Sequence, residues 1–226
     1  MFFVLPALIA VLACSNLGLD SLATADKGGG GDTAAALLPV DSSLVGVVFR
    51  VSLDDITYAK PQAFSMLENE IAGKQLLFYV NKETATGLDL IAALAGDDGL
   101  QNPCDFVQPL PTADWRDDPV FSIDRGDMTI EISNAPVDLM DLALSGQVAE
   151  DASGWTGGVL TATVDSRDLV ASLPEGFDLC GFIADSGDAC HACEDGVEDC
   201  LDLQLEDINA TAVEMSFDPT EDGSGC

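Results

Sequence analysis

The sequence predicts a mainly β protein in which an antiparallel sheet meander forms a sandwich or a partly open barrel. Residues 120–165 carry this prediction, because short runs rich in Val, Ile, Leu and Thr alternate there with turn residues. Hydrophobic residues make up 47% of the 226 positions, enough for a packed core despite the high charge. Two or three short helices and a disulfide-stapled C-terminal segment complete the expected fold.

Strands and helices are expected to mix in the first half of the chain. Residues 45–58 read VGVVFRVSLDDITY, and their β-branched and aromatic content predicts one long strand or a bent pair. Pro61 begins a predicted helix whose apolar residues recur at four-residue spacing until Gly73. The other elements are a strand, a short helix and an ordered proline-containing loop, at residues 75–81, 88–95 and 101–118.

Four strands are expected next, at residues 120–124, 128–133, 137–148 and 157–165. Strict alternation gives the third strand two apolar faces: Val137, Leu139 and Ala143 share one with Asp141, and Met140, Leu142 and Leu144 share the other with Asp138. We therefore expect this sheet to be covered on both sides, by helices or by a ligand. A brief helix capped by Ser166 or Asp165 is predicted to run through Leu173, and residues 201–217 are again expected to form strand.

Acidic residues dominate the charge of the chain. Lys and Arg total 8 against 40 Asp and Glu, which gives a formal net charge of −32. Phosphate binding needs clustered cationic side chains, so this balance argues against nucleic acid as a partner and against docking on anionic lipid through a basic patch. A solvated acidic surface that keeps the protein soluble is the favoured interpretation.

Residues 1–14 read MFFVLPALIAVLAC and carry no charge. The run is shorter than the roughly 20 residues that cross a bilayer, and it matches the apolar region of an export signal. Its end, Val11-Leu12-Ala13-Cys14, resembles the lipobox of bacterial lipoproteins. The resemblance implies a lipid on Cys14, and Ser15 after it implies sorting to the outer membrane. A plain secretory signal and a buried apolar segment are the alternatives.

The region after Cys14 is predicted to be a flexible tether, because it contains four consecutive glycines, Gly28 to Gly31, with nothing to bury. A tether behind a lipid anchor fits a domain held off a membrane. The expected organisation is a signal peptide, a tether, a β-rich domain and a Cys-rich acidic segment packed on that domain, at residues 1–14, 15–40, 41–179 and 180–226.

Cysteine parity supports the lipobox. The chain has seven cysteines, and assigning Cys14 to lipid leaves an even number to form disulfides in an exported protein. Those six are Cys104, Cys180, Cys190, Cys193, Cys200 and Cys226. We expect Cys104 to pair with Cys180, and the other four to staple the C-terminal segment.

The segment Cys190-His191-Ala192-Cys193 has three interpretations. It could be a redox pair, because an adjacent imidazolium lowers a thiol pKa, or it could supply Cys and His ligands to zinc. Structural disulfides are favoured, since oxidising compartments convert spare thiols. Metal ligands are therefore not assigned.

Carboxylate pairs are inevitable at this composition and single out no catalytic residue. Two stretches, Glu194-Asp195-Gly196 and Glu221-Asp222-Gly223, place carboxylates beside flexible glycine, as calcium loops do, but lack EF-hand spacing. We therefore expect no cofactor and keep Ca²⁺ as an alternative without an assigned site.

No motif for nucleophilic, nucleotide-dependent or metalloprotease catalysis occurs. Taken together, leader, tether, β-rich region and Cys-dense end are similar to uncharacterised lipoproteins of Gram-negative envelopes. The resemblance implies an outer-membrane location. We expect a non-enzymatic binding or structural module for an envelope protein or an apolar ligand. A carboxylate-dependent hydrolase, with or without Ca²⁺, and a Cys/His metal-binding module are the alternatives.

Overall fold

A computed structural model describes residues 38–61, 73–105, 107–132, 135–170 and 177–223. They all lie in the second of two compact units of the chain, which begins at residue 37. The predicted signal peptide, most of the tether and the body of the helix expected after Pro61 lie outside the described residues. No helix among the described residues has the length and apolarity needed to cross a membrane.

Eight antiparallel strands form a closed barrel, and two short strands extend it. In chain order the ten strands are β1 (Val48–Ser52), β2 (Thr57–Lys60), β3 (Gln75–Thr84), β4 (Gly87–Leu94), β5 (Gln108–Pro109), β6 (Ala113–Asp117), β7 (Val120–Ile132), β8 (Ala135–Val148), β9 (Gly154–Asp165) and β10 (Cys200–Val213). The barrel order is β1-β3-β4-β6-β7-β8-β9-β10, and β10 pairs back onto β1. The predicted antiparallel meander is confirmed; it closes completely instead of staying a sandwich or a partly open barrel.

The two halves of a bent strand share β10 as their neighbour. Strand β1 pairs with the end of β10, from Val48 opposite Val213 to Val51 opposite Ala210. A single 3-10 turn at Leu53–Asp55 interrupts the strand, and β2 then continues along an earlier part of β10. The prediction of a bent pair at residues 45–58 is thus confirmed, and the closing of the barrel depends on it.

Residues with positive φ shift the strand register where the barrel wall bends. Arg125 in β7, Asp141 in β8 and Asp207 in β10 have φ of 57°, 50° and 57°. The register of each strand slips beside these residues, as expected of β-bulges, which increase local bending and help a sheet to close. The segments expected as two strands at 120–124 and 128–133 therefore form the single strand β7.

The bulge at Asp141 overturns the prediction that β8 has two apolar faces. Beyond the bulge the alternation shifts by one residue, so all the large aliphatic residues with defined burial turn inward: Val137, Leu139, Leu142, Leu144 and Val148. Met140 and Ala143 stay half-buried among polar neighbours on the outer side. Sequence alternation failed here because it assumes an uninterrupted period of two.

An aromatic cluster fills one end of the barrel interior. The Trp155 indole is 1% exposed, and its ring centroid lies 5.1–5.2 Å from those of Phe49, Phe78 and Phe121. Above it, Leu44 is 0% exposed and closes this end of the barrel, which we call the Trp155 end. The position of Leu44 is fixed by its own backbone N–H, which donates to the Glu83 carboxylate at 2.8 Å.

Strand β4 is covered on both faces, and this explains why the helix expected at 88–95 is wrong. Leu88, Leu90 and Ala92 face the core, while Ala93 joins a small outer cluster with Val48 and Leu77. Part of the cover over that cluster comes from residues after β10, among them Phe217, whose ring stacks on Tyr79 at 4.9 Å. A short run that is apolar on both sides does not distinguish a strand from a helix by periodicity.

The remaining differences concern loops and helices. The region 101–118 contains β5 and β6 besides loop, and the strand expected to reach residue 217 ends at Val213. The described helices are α1 (Ser166–Val170) and α2 (Leu179–Asp185). Since α1 is hardly longer than one turn, only α2 counts as a helix of the expected kind, so the prediction of two or three is too high for the described residues.

Candidate functional site

The barrel end opposite Trp155 is closed by residues 177–199, which we call the cap. Asp178 begins α2 by accepting a hydrogen bond from the Gly181 N–H at 2.9 Å, which satisfies a free donor of the first turn. Leu179 and Ile183, one turn apart, then face the barrel core and are 7% and 0% exposed. The cap is therefore part of the barrel's hydrophobic core.

Two disulfides hold the cap. One joins Cys180 in α2 to Cys190, and the other joins Cys193 to Cys200 at the start of β10. The expected pair of Cys104 with Cys180 is wrong, because Cys180 bonds a cysteine ten residues away instead. Cys104 is itself disulfide-bonded. Of the four cysteines expected to staple the C-terminal segment, Cys190, Cys193 and Cys200 form disulfides within it, and Cys226 lies outside the described residues.

Aspartate, cysteine and histidine residues lie side by side on neighbouring strands of the barrel wall beside the cap. Cys200 pairs with Asp165 of β9 on one side and forms an isolated antiparallel bridge with His191 on the other. Directly paired residues of antiparallel strands project to the same face of a sheet. We call Asp165, Cys200 and His191, together with Cys193, the Cys200 row.

The Cys200 row contains the only group of three or more Cys, His, Asp or Glu that lie close enough to share a metal ion among the described residues. A carboxylate oxygen of Asp165 and the sulfurs of Cys193 and Cys200 lie within 4.8 Å of one another. The disulfide between the sulfurs accounts for their own proximity, so the informative distance is that of Asp165 from both. In the disulfide form the two sulfurs are not free to act as thiolates.

Arg167 connects this row to the cap loop. Its Nε donates to Oδ1 of Asp165 at 2.8 Å, and its Nη1 donates to Oδ2 of Asp195 at 2.7 Å. The side-chain hydrogen bonds from Arg167 hold the pKa of the Asp165 carboxyl below its usual range, and the two carboxylates raise the pKa of Arg167. The pKa of Asp195 is also lowered, first by the backbone N–H of Val197 and then by Arg167.

His191 lies between two hydrogen-bond acceptors. Its Nε2 is 3.2 Å from Oδ1 of Asp202, and its Nδ1 is 3.2 Å from the carbonyl oxygen of Ala192. The Asp202 carboxylate therefore engages Nε2, one of the two ring nitrogens of His191 that could bind a metal.

The outer wall formed by β8, β9 and β10 carries acidic residues and no basic residue. These three strands contain no Lys or Arg. Their exposed carboxylates, which we call the acidic face, are those of Asp138, Asp141, Asp202 and Asp207. Arg167, which follows β9, is already paired with the carboxylates of Asp165 and Asp195.

Among the described residues, neither calcium-like stretch belongs to a group of carboxylates close enough to share a metal ion. Asp195 is bound by Arg167 and the Val197 N–H, and the Glu221 carboxylate accepts the N–H groups of Asp222 and Gly223. These oxygens stabilise local turns. The lipidation candidate Cys14 and the disulfide candidate Cys226 lie outside the described residues.

Sequence reasoning missed Asp165 and Arg167. Their only local signal is the spacing of two residues, which recurs at Asp114 and Arg116 in β6. What makes the pair part of a site is the register of β9 on β10, which no local pattern reveals. No protein-family model, curated protein or solved structure matches this chain.

Proposed function

We propose that this chain is a non-enzymatic binding module of the Gram-negative cell envelope, anchored at the outer membrane through a lipid on Cys14. Its partner is a basic protein that docks on the acidic face. The two described disulfides support a location outside the reducing cytoplasm, since structural disulfides persist in oxidising compartments. The lipobox-like run that ends at Cys14 supports the anchor.

The filled interior of the barrel is the observation that carries the binding mode. Trp155 and its aromatic neighbours occupy one end, Leu44 covers that end, and α2 covers the other through Ile183. A partner therefore meets the outer wall, where β8, β9 and β10 carry four exposed carboxylates and no Lys or Arg, and these carboxylates set up a negative potential. Complementary charge accelerates encounter and orients a basic partner.

The burial of β8 favours a protein partner over an apolar ligand. The sequence predicts a protein partner or an apolar ligand because strict alternation gives β8 two apolar faces, but the bulge at Asp141 turns Leu142 and Leu144 into the core. The outer side of β8 presents Asp138 and Asp141 instead. The polar outer wall and the filled interior together support recognition of the partner by charge.

Binding of a cationic probe tests the acidic face. The full chain is titrated with a lysine-rich peptide at low and high salt, and the variant D138N/D141N/D202N/D207N is compared with D41N/D54N/D97N/D98N, which removes equal charge elsewhere. We expect the first variant to lose most of the affinity and the salt dependence, because screening acts on charge that faces the ligand. Equal losses in both variants would contradict the proposal.

Mass spectrometry of the mature protein tests the anchor. After expression of the full gene in a Gram-negative host, we expect a polypeptide that begins with an acylated Cys14, and a non-acylated product from Cys14→Ser. Recovery of the wild-type chain with Met1 intact and no acyl group would contradict the anchor while leaving the acidic face to be judged by its own titration.

A further inference from the structure

The strongest unassigned chemistry of the molecule lies in the Cys200 row. Asp165 carries its carboxylate to within 4.8 Å of both sulfurs of the Cys193–Cys200 disulfide. Cross-strand pairing fixes this placement, because Asp165 and Cys200 begin an uninterrupted run of six register pairs between β9 and β10. The neighbouring Arg167 holds the carboxylate in place from outside.

The three side chains form a suitable ligand set for zinc once the sulfurs are thiolates. Zn²⁺ binds Cys sulfur and Asp oxygen, and it is commonly held by three protein ligands with water in the fourth position. Arg167 fits the outer shell of such a site: it donates to the carboxylate but leaves lone pairs on the oxygens, and outer-shell partners orient ligands in this way.

We propose that the Cys193–Cys200 disulfide is a redox gate, and that its reduction creates a Zn²⁺ site with Cys193, Cys200 and Asp165 as ligands. A dithiol supplies two electrons: it attacks Cys193, the S–S bond breaks, and the dithiol leaves as a disulfide while two cysteine thiols form. Zn²⁺ then binds both sulfurs as thiolates, and two protons pass to water. Cys193 is the entry point because it is the less buried residue of the pair; Cys200 is 1% exposed.

His191 is outside this ligand set despite its place in the row. Its Nε2 is engaged by Asp202 at 3.2 Å, and its ring nitrogens are not part of the group that lies within 4.8 Å. This distinguishes the inference from the Cys/His site that the local sequence suggests. The inference does not depend on the proposed anchor or on the acidic face.

Zinc binding to the full chain tests the gate. The protein is reduced with a phosphine, which is oxidised to its oxide and does not supply thiols, and Zn²⁺ is then titrated against a chromophoric chelator under anaerobic conditions. We expect one tightly held Zn²⁺ per reduced chain and none in the oxidised chain. Co²⁺ in place of Zn²⁺ is expected to give thiolate-to-metal charge-transfer absorption, which reports sulfur ligation directly.

Variants assign the ligands. C193S/C200S is expected to abolish binding, whereas C180S/C190S, which removes the neighbouring pair, retains it, and H191A leaves the affinity unchanged. D165N weakens binding at least about tenfold, and R167Q weakens it by about 10–100-fold as loss of an outer-shell partner does. Circular dichroism checks that each variant is folded.

Three results would overturn the proposal. They are retention of zinc by reduced, folded C193S/C200S, loss of zinc in folded C180S/C190S, and an unchanged affinity in D165N. The first two would assign the metal to other thiols of the chain, and the third would leave the sulfurs without their third ligand.

Discussion

The two ends of the barrel are closed by different physical means. At the Trp155 end, one indole and three phenyl rings pack against one another, and Leu44 is buried above them without a covalent link. At the cap end, the seven-residue helix α2 contributes Leu179 and Ile183, and two disulfides fasten the surrounding loop. Other apolar residues of the cap, such as Val197, are exposed, so the cap buries little apolar surface besides these two side chains.

This difference shows where cross-links replace packing. Large aromatic side chains bury enough apolar surface to hold a segment in position, whereas a short, loop-rich segment buries too little to offset its chain entropy. Cross-links that close short loops restrict the unfolded chain and make up part of that deficit. We therefore expect the Trp155 end to be insensitive to reductant and the cap to depend on the redox state.

The largest effect is expected from Trp155→Ala. Removing the centre of the aromatic cluster leaves a cavity next to Phe49 and Phe121, and such truncations typically cost about 3–5 kcal/mol of unfolding free energy. Urea unfolding measures the loss, with Val197→Ala on the cap surface as a control expected to stay within about 0.5 kcal/mol. Because the buried indole N–H has no hydrogen-bond partner among the described residues, Trp155→Phe is expected to cost less than half as much.

An equal loss in both Trp155 variants would contradict this comparison. It would mean that the indole N–H, rather than the volume of the ring, stabilises the Trp155 end.

The next effect concerns the disulfides. The linked cysteines are ten and seven residues apart, and loops of that size are worth about 2.5 kcal/mol each in the chain-entropy account. In C180S/C190S and C193S/C200S, we expect amide hydrogen exchange to accelerate more in the cap than beside Trp155. Amides beside Trp155 should lose only the protection that corresponds to the lower global free energy of unfolding of each variant. If exchange accelerated equally at both ends, and by more than the lower global free energy of unfolding explains, the cap would not be an independent unit.

A smaller effect tests the bulge that orients β8. Asp141 has a φ of 50°, a conformation that Asp, Asn and Gly tolerate and β-branched residues resist. Asp141→Val is therefore expected to destabilise the protein by about 1–3 kcal/mol, and Asp141→Gly to be neutral or stabilising. Asp141→Asn keeps the tolerance and removes the charge, so a loss in this control equal to that of Asp141→Val would assign the effect to charge instead of backbone strain.

The same residue shows how far sequence reasoning extends. Turn residues and β-branched runs located most strands, because these signals are local. The face that each strand buries could not be read where a bulge intervened, and nothing around Asp141 in the sequence indicates a bulge. The helix expected at 88–95 was wrong for a related reason: β4 is apolar on both sides because residues from the distant C-terminal region cover its outer face.

The candidate site was hidden from the sequence in the same way. Cysteine counting predicted disulfides in the C-terminal segment, but the partners follow from the loop between α2 and β10, which excludes Cys104 from the pair with Cys180. Asp165 joins the site only through its register with Cys200. Composition and short motifs predict the class of fold and chemistry, while long-range register decides which side chains meet.

The smallest effect on stability is expected from two ion pairs, one beside the cap and one in β6. Arg167 bonds Asp165 beside the cap, and Arg116 bonds Asp114 in β6, again two residues apart; in both the Asp pKa is lowered, for Asp114 to about 2. A lowered carboxyl pKa stabilises the folded state above the unfolded value of about 3.9, and this stability is lost as pH falls through the folded pKa. The stability differences between wild type and R167Q and between wild type and R116Q are therefore expected to shrink to zero on acidification. Exposed pairs are weak, so both stability differences should stay below the effect of Asp141→Val and decrease with added salt.

Hydrogen exchange distinguishes the two pairs. Only R167Q is expected to accelerate hydrogen exchange in the cap, since Arg167 also holds Asp195. The same acceleration in R116Q would show that the pairs act through net charge and not through the cap.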